Sequence, residues 1–348
     1  MTSDNTTLSR RIRTLLIVTF LCLAAAECAA RIFWYWQFDV PLLHPGKILY
    51  SYYSELRAVD ESQPSHHDGY YNILFLGGSV LNPYWSSIEQ TMDQDLNLAA
   101  SKQGHRKVRI FNLAEPAHTS RDSLLKYAAL DKARFDLVIV YDGINDVRAN
   151  NVPPGLFRDN YDHYSWYQIV NVLSTYSNTT VALPYTLHYI GLVLWQRFHD
   201  DDYIPTAFPR AEWTTYGKNP LTVLPFQHNI ESIINMASQR KDHVLLVTFA
   251  IHVPKDYTWR KLWEGKLDYA SANVPVEIWG EREHVETTLA LHNSVIRNLA
   301  AAHPDVHMYD MALALPRSHR SFNDPCHLTA EGSVVFATLL DKLIEEHW

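Results

Sequence analysis

The hydrophobic pattern of the chain falls into three regimes. Residues 14–36 are apolar apart from Glu27 and Arg31, and Arg10, Arg11 and Arg13 stand just before them. A helix of that length, about 35 Å, can cross a bilayer with some tilt. Residues 37–71 carry aromatics, prolines and histidines without a period and read as a connector. From Asn72 onward, short apolar runs at 73–76, 108–111, 137–140, 244–247 and 306–309 alternate with helical stretches, among them 86–100, 120–134 and one starting near Ala330. Most of the short runs are apolar at consecutive positions, as in strands covered on both faces.

Strands alternating with helices predict an α/β domain over 72–348, three layers deep (α/β/α), on a parallel, flavodoxin-like sheet. Functional loops then lie at the carboxyl ends of the strands. Between the third and fourth strands, residues 150–222 are rich in Tyr, Trp, His and Pro and lack a clear period. This insertion is either packed on the domain or serves as a lid or substrate surface. There is no internal repeat.

Composition narrows the class. With 47% apolar and 20% charged residues, and Gly and Pro dispersed, disordered and collagen-like readings are excluded. The net charge is −8, and −10 beyond residue 36, which excludes nucleic acid as a partner. Cys22 and Cys28 lie in the apolar stretch, so Cys326 stands alone and no disulfide framework is available.

The basic leader (1–13) and the acidic remainder orient 14–36 as a single-pass signal anchor, with the domain extracytoplasmic, periplasmic in a Gram-negative host. Phe33, Trp34, Tyr35 and Trp36 then fall at the outer interface, and Glu27 and Arg31 can pair across one helical turn. Ala24, Ala25 and Ala26 offer a cleaved signal peptide as the competing reading, but apolar character resumes beyond them.

Four short stretches carry candidate chemistry: Gly77-Gly78-Ser79 after the first strand, residues 112–120 after the second, Asp142-Gly143-Ile144-Asn145-Asp146 after the third, and Asp324-Pro325-Cys326-His327 near the end. A serine becomes a nucleophile when a base takes its proton and a third group orients the base. His327 and Asp324, three residues apart on one loop, can supply both. The oxyanion needs donors, and candidates are the Asn145 amide and the backbone N–H groups of Ser79 and Ala117. Metal readings are weaker: His66-His67-Asp68 sits in the connector, and His303 and His307 span Pro304. His118 and His252 follow strands two and four, where packing or solvent contact accounts for them as well as substrate contact does.

In this order and on these elements, the four blocks resemble the SGNH or GDSL hydrolase superfamily over about residues 72–345. The resemblance implies the SGNH hydrolase fold, Ser79 as nucleophile, His327 as base, Asp324 as its orienting acid, Asn145 as an oxyanion donor, and no cofactor or metal. Two positions depart from the pattern: Gly78 stands where the family has Asp, and Ala117 where it has an oxyanion Gly. The expected activity is ester hydrolysis through an acyl-serine. Expected partners are an acylated small molecule or the O-acyl (acetyl) groups of a polysaccharide, and the membrane through the anchor. An O-acyltransferase using the same triad and a non-catalytic glycan-binding protein are the alternatives.

Overall fold

The computed structural model of the chain describes residues 3–198, 208–271 and 274–346, with side chains from residue 9. The start of the leader and residues 199–207 of the insertion lie outside the described residues. The apolar runs become β1 (Tyr70–Gly77), β2 (Lys107–Asn112), β3 (Leu137–Tyr141), β4 (His243–Val247) and β5 (Val306–Tyr309). All four pairings are parallel and the order is β2-β1-β3-β4-β5. Ile73 of β1 stands opposite both Ile110 and Leu137, and Ile73 to Leu76 are fully buried. Helices cover both faces, which is why these strands show no alternation. β5, at the edge, is half-exposed throughout.

Helices Ile88–Gln103 and Ala330–Glu345 pack together as one layer; Ser120–Ala129, Val223–Arg240 and Arg282–Ala302 form the other. The sequence period extends the second predicted helix to residue 134, but the helix ends at Ala129. There the backbone finds other partners: the Arg134 N–H donates to Pro64 O and the Phe135 N–H to Asp242. Caps fix the loops that matter. Thr119 and Asp122 form a reciprocal capping box, and Thr329 Oγ1 accepts from the Gly332 N–H at 2.9 Å.

The chain divides into two compact units, residues 55–167 with 202–348, and residues 1–54 with 168–201. The first holds the sheet. It also holds the early part of the insertion, where Tyr161, Tyr164 and Tyr167 pack with Ala149 and Val152 in a small core of their own. The second holds helix Ser3–Phe38, which from Ser9 is long and apolar enough to cross a membrane, and helix Leu183–Phe198. Within it the Glu27–Arg31 pair forms at 2.7 Å, and Glu27 also accepts the N–H groups of Ala182 and Leu183 at 2.8–2.9 Å. The pair thus caps a second helix, a role invisible in the i,i+4 spacing.

Candidate active site

The strand order reverses between β1 and β3, so a crevice opens at their carboxyl ends. Gly77 ends β1 there, and a Cβ on it would lie 2.7 Å from Tyr141 O, so only glycine lets the two strand ends close up. A Cβ on Gly78 would lie 2.7 Å from Asn145 Nδ2 and 3.4 Å from His118 O. In this chain the position before the serine is filled from the other side by the Asn145 amide.

The following turn presents Ser79, whose Oγ is 2.8 Å from His327 Nε2. His327 Nδ1 is 2.8 Å and 3.0 Å from the two carboxylate oxygens of fully buried Asp324. Because Nδ1–H donates to Asp324, Nε2 is left as the acceptor facing Ser79. Asp324 also accepts the N–H groups of Cys326 (3.0 Å) and His327 (2.9 Å), which locks its rotamer. The loop is closed by Asn323 N–H to His327 O at 2.8 Å and Thr329 N–H to Ser321 O at 3.0 Å. Trp85 stacks on the His327 ring at 4.4 Å and 24°.

Asn145 sits on a single helical turn, Ile144–Val147, after β3. Its Nδ2 donates to His118 O at 2.8 Å, and its Oδ1 accepts from Trp279 Nε1 at 3.0 Å, so the amide is held at both ends and one Nδ2 hydrogen remains. Asp146 accepts the Ser120 N–H (3.0 Å), the Ser120 hydroxyl (2.6 Å) and the Tyr161 hydroxyl (2.9 Å). It thereby ties the Asn145 turn to the end of the β2 loop. Burial pushes the Asp146 carboxyl up to about 6 against these hydrogen bonds, and burial with the nearby Asp146 pushes Asp142 well above the carboxylate range.

Ala117, at the exposed tip of the β2 loop, has φ 65°. This left-handed conformation is the one glycine adopts freely and alanine does not. Among the described residues, neither the Ala117 N–H nor the Ser79 N–H donates a hydrogen bond to the protein. His118 beside it is structural: its Nδ1 lies 2.6 Å from Lys126 Nζ, which also reaches Leu113 O and Glu55 at 2.5 Å. Burial, aided by Lys126 and opposed by Asp122, pulls His118 down to about 4 and keeps it neutral. His252 is also a loop tie, its N–H donating to Pro325 O at 3.0 Å.

Asp324, Cys326 and His327 are the one group among the described residues with metal-ligand spacing, their donor atoms lying within 4.8 Å. Burial, with Asp324 adding to it, pushes the Cys326 thiol well up, so it offers no thiolate, and His327 Nδ1 already faces Asp324. Asp68 of the connector is paired with Arg109 at 2.5 Å. Trp85, Trp279 and the tying role of Asp146 had no signal beyond their nearness to the blocks, since each contact joins distant parts of the chain.

No protein-family model and no curated protein matches the sequence. Among solved structures, the chain is similar to a GDSL-like lipase from Bacteroides thetaiotaomicron (14% identity, 85% of this chain and 100% of that one, TM-score 0.44). It is similar to a lipase/acylhydrolase from Enterococcus faecalis (14%, 79% and 96%, TM-score 0.39). An acetylxylan esterase from Geobacillus stearothermophilus shows 13% identity over 80% and 94% of the two chains, with a TM-score of 0.43.

Proposed function

We propose that this chain is a membrane-anchored serine esterase that works through an acyl-serine intermediate, with its catalytic unit outside the cytoplasm. The reading is carried by the unbroken relay from Ser79 to His327 to Asp324, 2.8 Å at each step, at the crevice of the sheet. Ser79 Oγ attacks the ester carbonyl while His327 Nε2 takes its proton; Asp324 stabilises the imidazolium through Nδ1–H. The N–H groups of Ser79 and Ala117 and the spare Asn145 hydrogen receive the oxyanion. Collapse breaks the ester bond, and the leaving alkoxide takes the proton from His327. Water, deprotonated by the same nitrogen, then attacks the acyl-serine and releases the acid.

For the substrate we propose O-acetyl groups on a polysaccharide. Tyr84, 88% exposed, and Trp85 next to it set an aromatic surface beside the relay, and flat aromatic faces at a wet edge suit a sugar ring. The full chain in nanodiscs, given acetylated glycans and long-chain lipid esters, should release acetate from the glycan, with no diversion of the acetyl group to added glycan hydroxyls. Turnover confined to long-chain lipid esters would sink the substrate assignment, and diversion to hydroxyls would make the protein a transferase.

A further inference from the structure

Helix Leu183–Phe198 in the insertion has an unusual surface. Its covered stripe, with Tyr185 and Thr186 buried, packs on Trp34 of helix Ser3–Phe38: the Trp34 Nε1–H donates to Thr186 Oγ1 at 2.9 Å, and Tyr185 and Tyr189 lie edge-on to the Trp34 ring at 5.3 and 5.1 Å. Away from that stripe the helix is apolar, with Leu187, Ile190, Leu194 and Phe198 all exposed. A helix with a broad apolar face beyond the stripe it packs with normally has that face enclosed, by protein or by lipid. At 16 residues, about 24 Å, this one is short for crossing a bilayer and suited to lying in its interface.

The membrane itself is the occupant that continuity favours. Between Arg13 and Glu27 the first helix offers only 13 residues, about 20 Å against a hydrocarbon layer of about 30 Å. The rest of that layer must be met beyond Glu27. Ile32, Phe33, Tyr35 and Trp36 are exposed on the first helix there, and helix Leu183–Phe198 packs beside it through its covered stripe. At the junction of the two helices Glu27 receives the first N–H groups of the second helix, and Arg31 donates to Glu27, Leu42 O and Thr180 O at 2.7–2.8 Å. Arg197 adds a basic group at the far end, where anionic headgroups would meet it.

We propose that helix Leu183–Phe198 is a second membrane element, its Leu187–Leu194–Phe198 side in contact with lipid beside the anchor helix. The proposal rests on the membrane reading of the first helix. It makes this part of the insertion a foot on the bilayer.

The test uses the full chain with Cys22→Ser and Cys28→Ser, reconstituted in vesicles, with single cysteines at Leu187, Leu194, Leu21 or exposed Leu313 carrying a fluorescent probe. The same background without an added cysteine measures any labelling of buried Cys326. Nitroxide lipids should quench the probes at 187 and 194 to within about twofold of the probe at 21, and aqueous iodide should quench only the one at 313. A lipid-quenched probe at 21 with iodide-quenched probes at 187 and 194 overturns the proposal and leaves the anchor standing. Iodide quenching at 21 as well overturns both.

Discussion

Replacing Gly78 by alanine tests the oxyanion assignment at one atom. The new methyl would lie 2.7 Å from Asn145 Nδ2. An ordinary carbon–nitrogen contact is about 3.4 Å, so the amide must retreat by about 0.7 Å. It cannot do so freely, being held by His118 O at 2.8 Å and Trp279 Nε1 at 3.0 Å. The Gly78 backbone is outside the left-handed region, so the substitution acts through the clash and not through strain at φ. Loss of one oxyanion donor costs about 10²–10³ in kcat, about 2.7–4 kcal/mol. We expect Gly78→Ala to approach that loss on an activated acetate ester, with its melting temperature nearly unchanged. Asn145→Ala should lose as much, and the double variant no more than Asn145→Ala alone, because the atom met by the methyl is gone. A Gly78→Ala enzyme within about twofold of wild type, or a double variant whose losses multiply, would refute the reasoning.

Three further outcomes follow from other parts of the structure. Ala117→Gly should stabilise the protein by about 0.5–1 kcal/mol in urea titrations, relief of the left-handed alanine exceeding the entropy of the glycine, with activity retained; a loss of stability would contradict the strain. Asp341, buried near Asp95 and Glu345, is pushed up to about 8, chiefly by desolvation. Its folded value lies above the unfolded one, so its contribution is full below pH 4 and is lost as pH rises through 8. Asp341→Asn should therefore gain about 2–4 kcal/mol at pH 8 and nothing at pH 4, and equal gains at both would count against this account. Trp85→Ala should lower kcat/KM by about tenfold by freeing the His327 ring, with Trp85→Phe recovering most of it; equal values for the two variants would show that the stack does not position the base.

The strands were legible because most of them are short apolar runs that alternate with helical stretches, whereas the β2-β1-β3-β4-β5 order is a matter of long-range pairing. The helix ending at Ala129 was overrun because Pro64 and Asp242, far along the chain, take the next backbone groups. Helices in the insertion were hidden for a different reason. Leu183–Phe198 is apolar on nearly every side, so it has no polar face to mark a period, and the tyrosines at 161, 164 and 167 point into a small separate core. At the candidate site, residue types and order were readable for Ser79, Asn145, Asp324 and His327. The reason for glycine at 78 was not, because it is set by an amide 67 residues away.

The central claim is that Ser79 is the nucleophile of an ester-cleaving relay. The direct measurement is labelling of the full chain with a fluorophosphonate, located by peptide mass, alongside acetate release from a small activated ester, for wild type, Ser79→Ala and His327→Ala. The account predicts a single phosphonylated site at Ser79, with labelling and turnover lost together in Ser79→Ala and strongly reduced in His327→Ala. A folded wild-type protein that takes no label, or turnover that persists in Ser79→Ala, would contradict it.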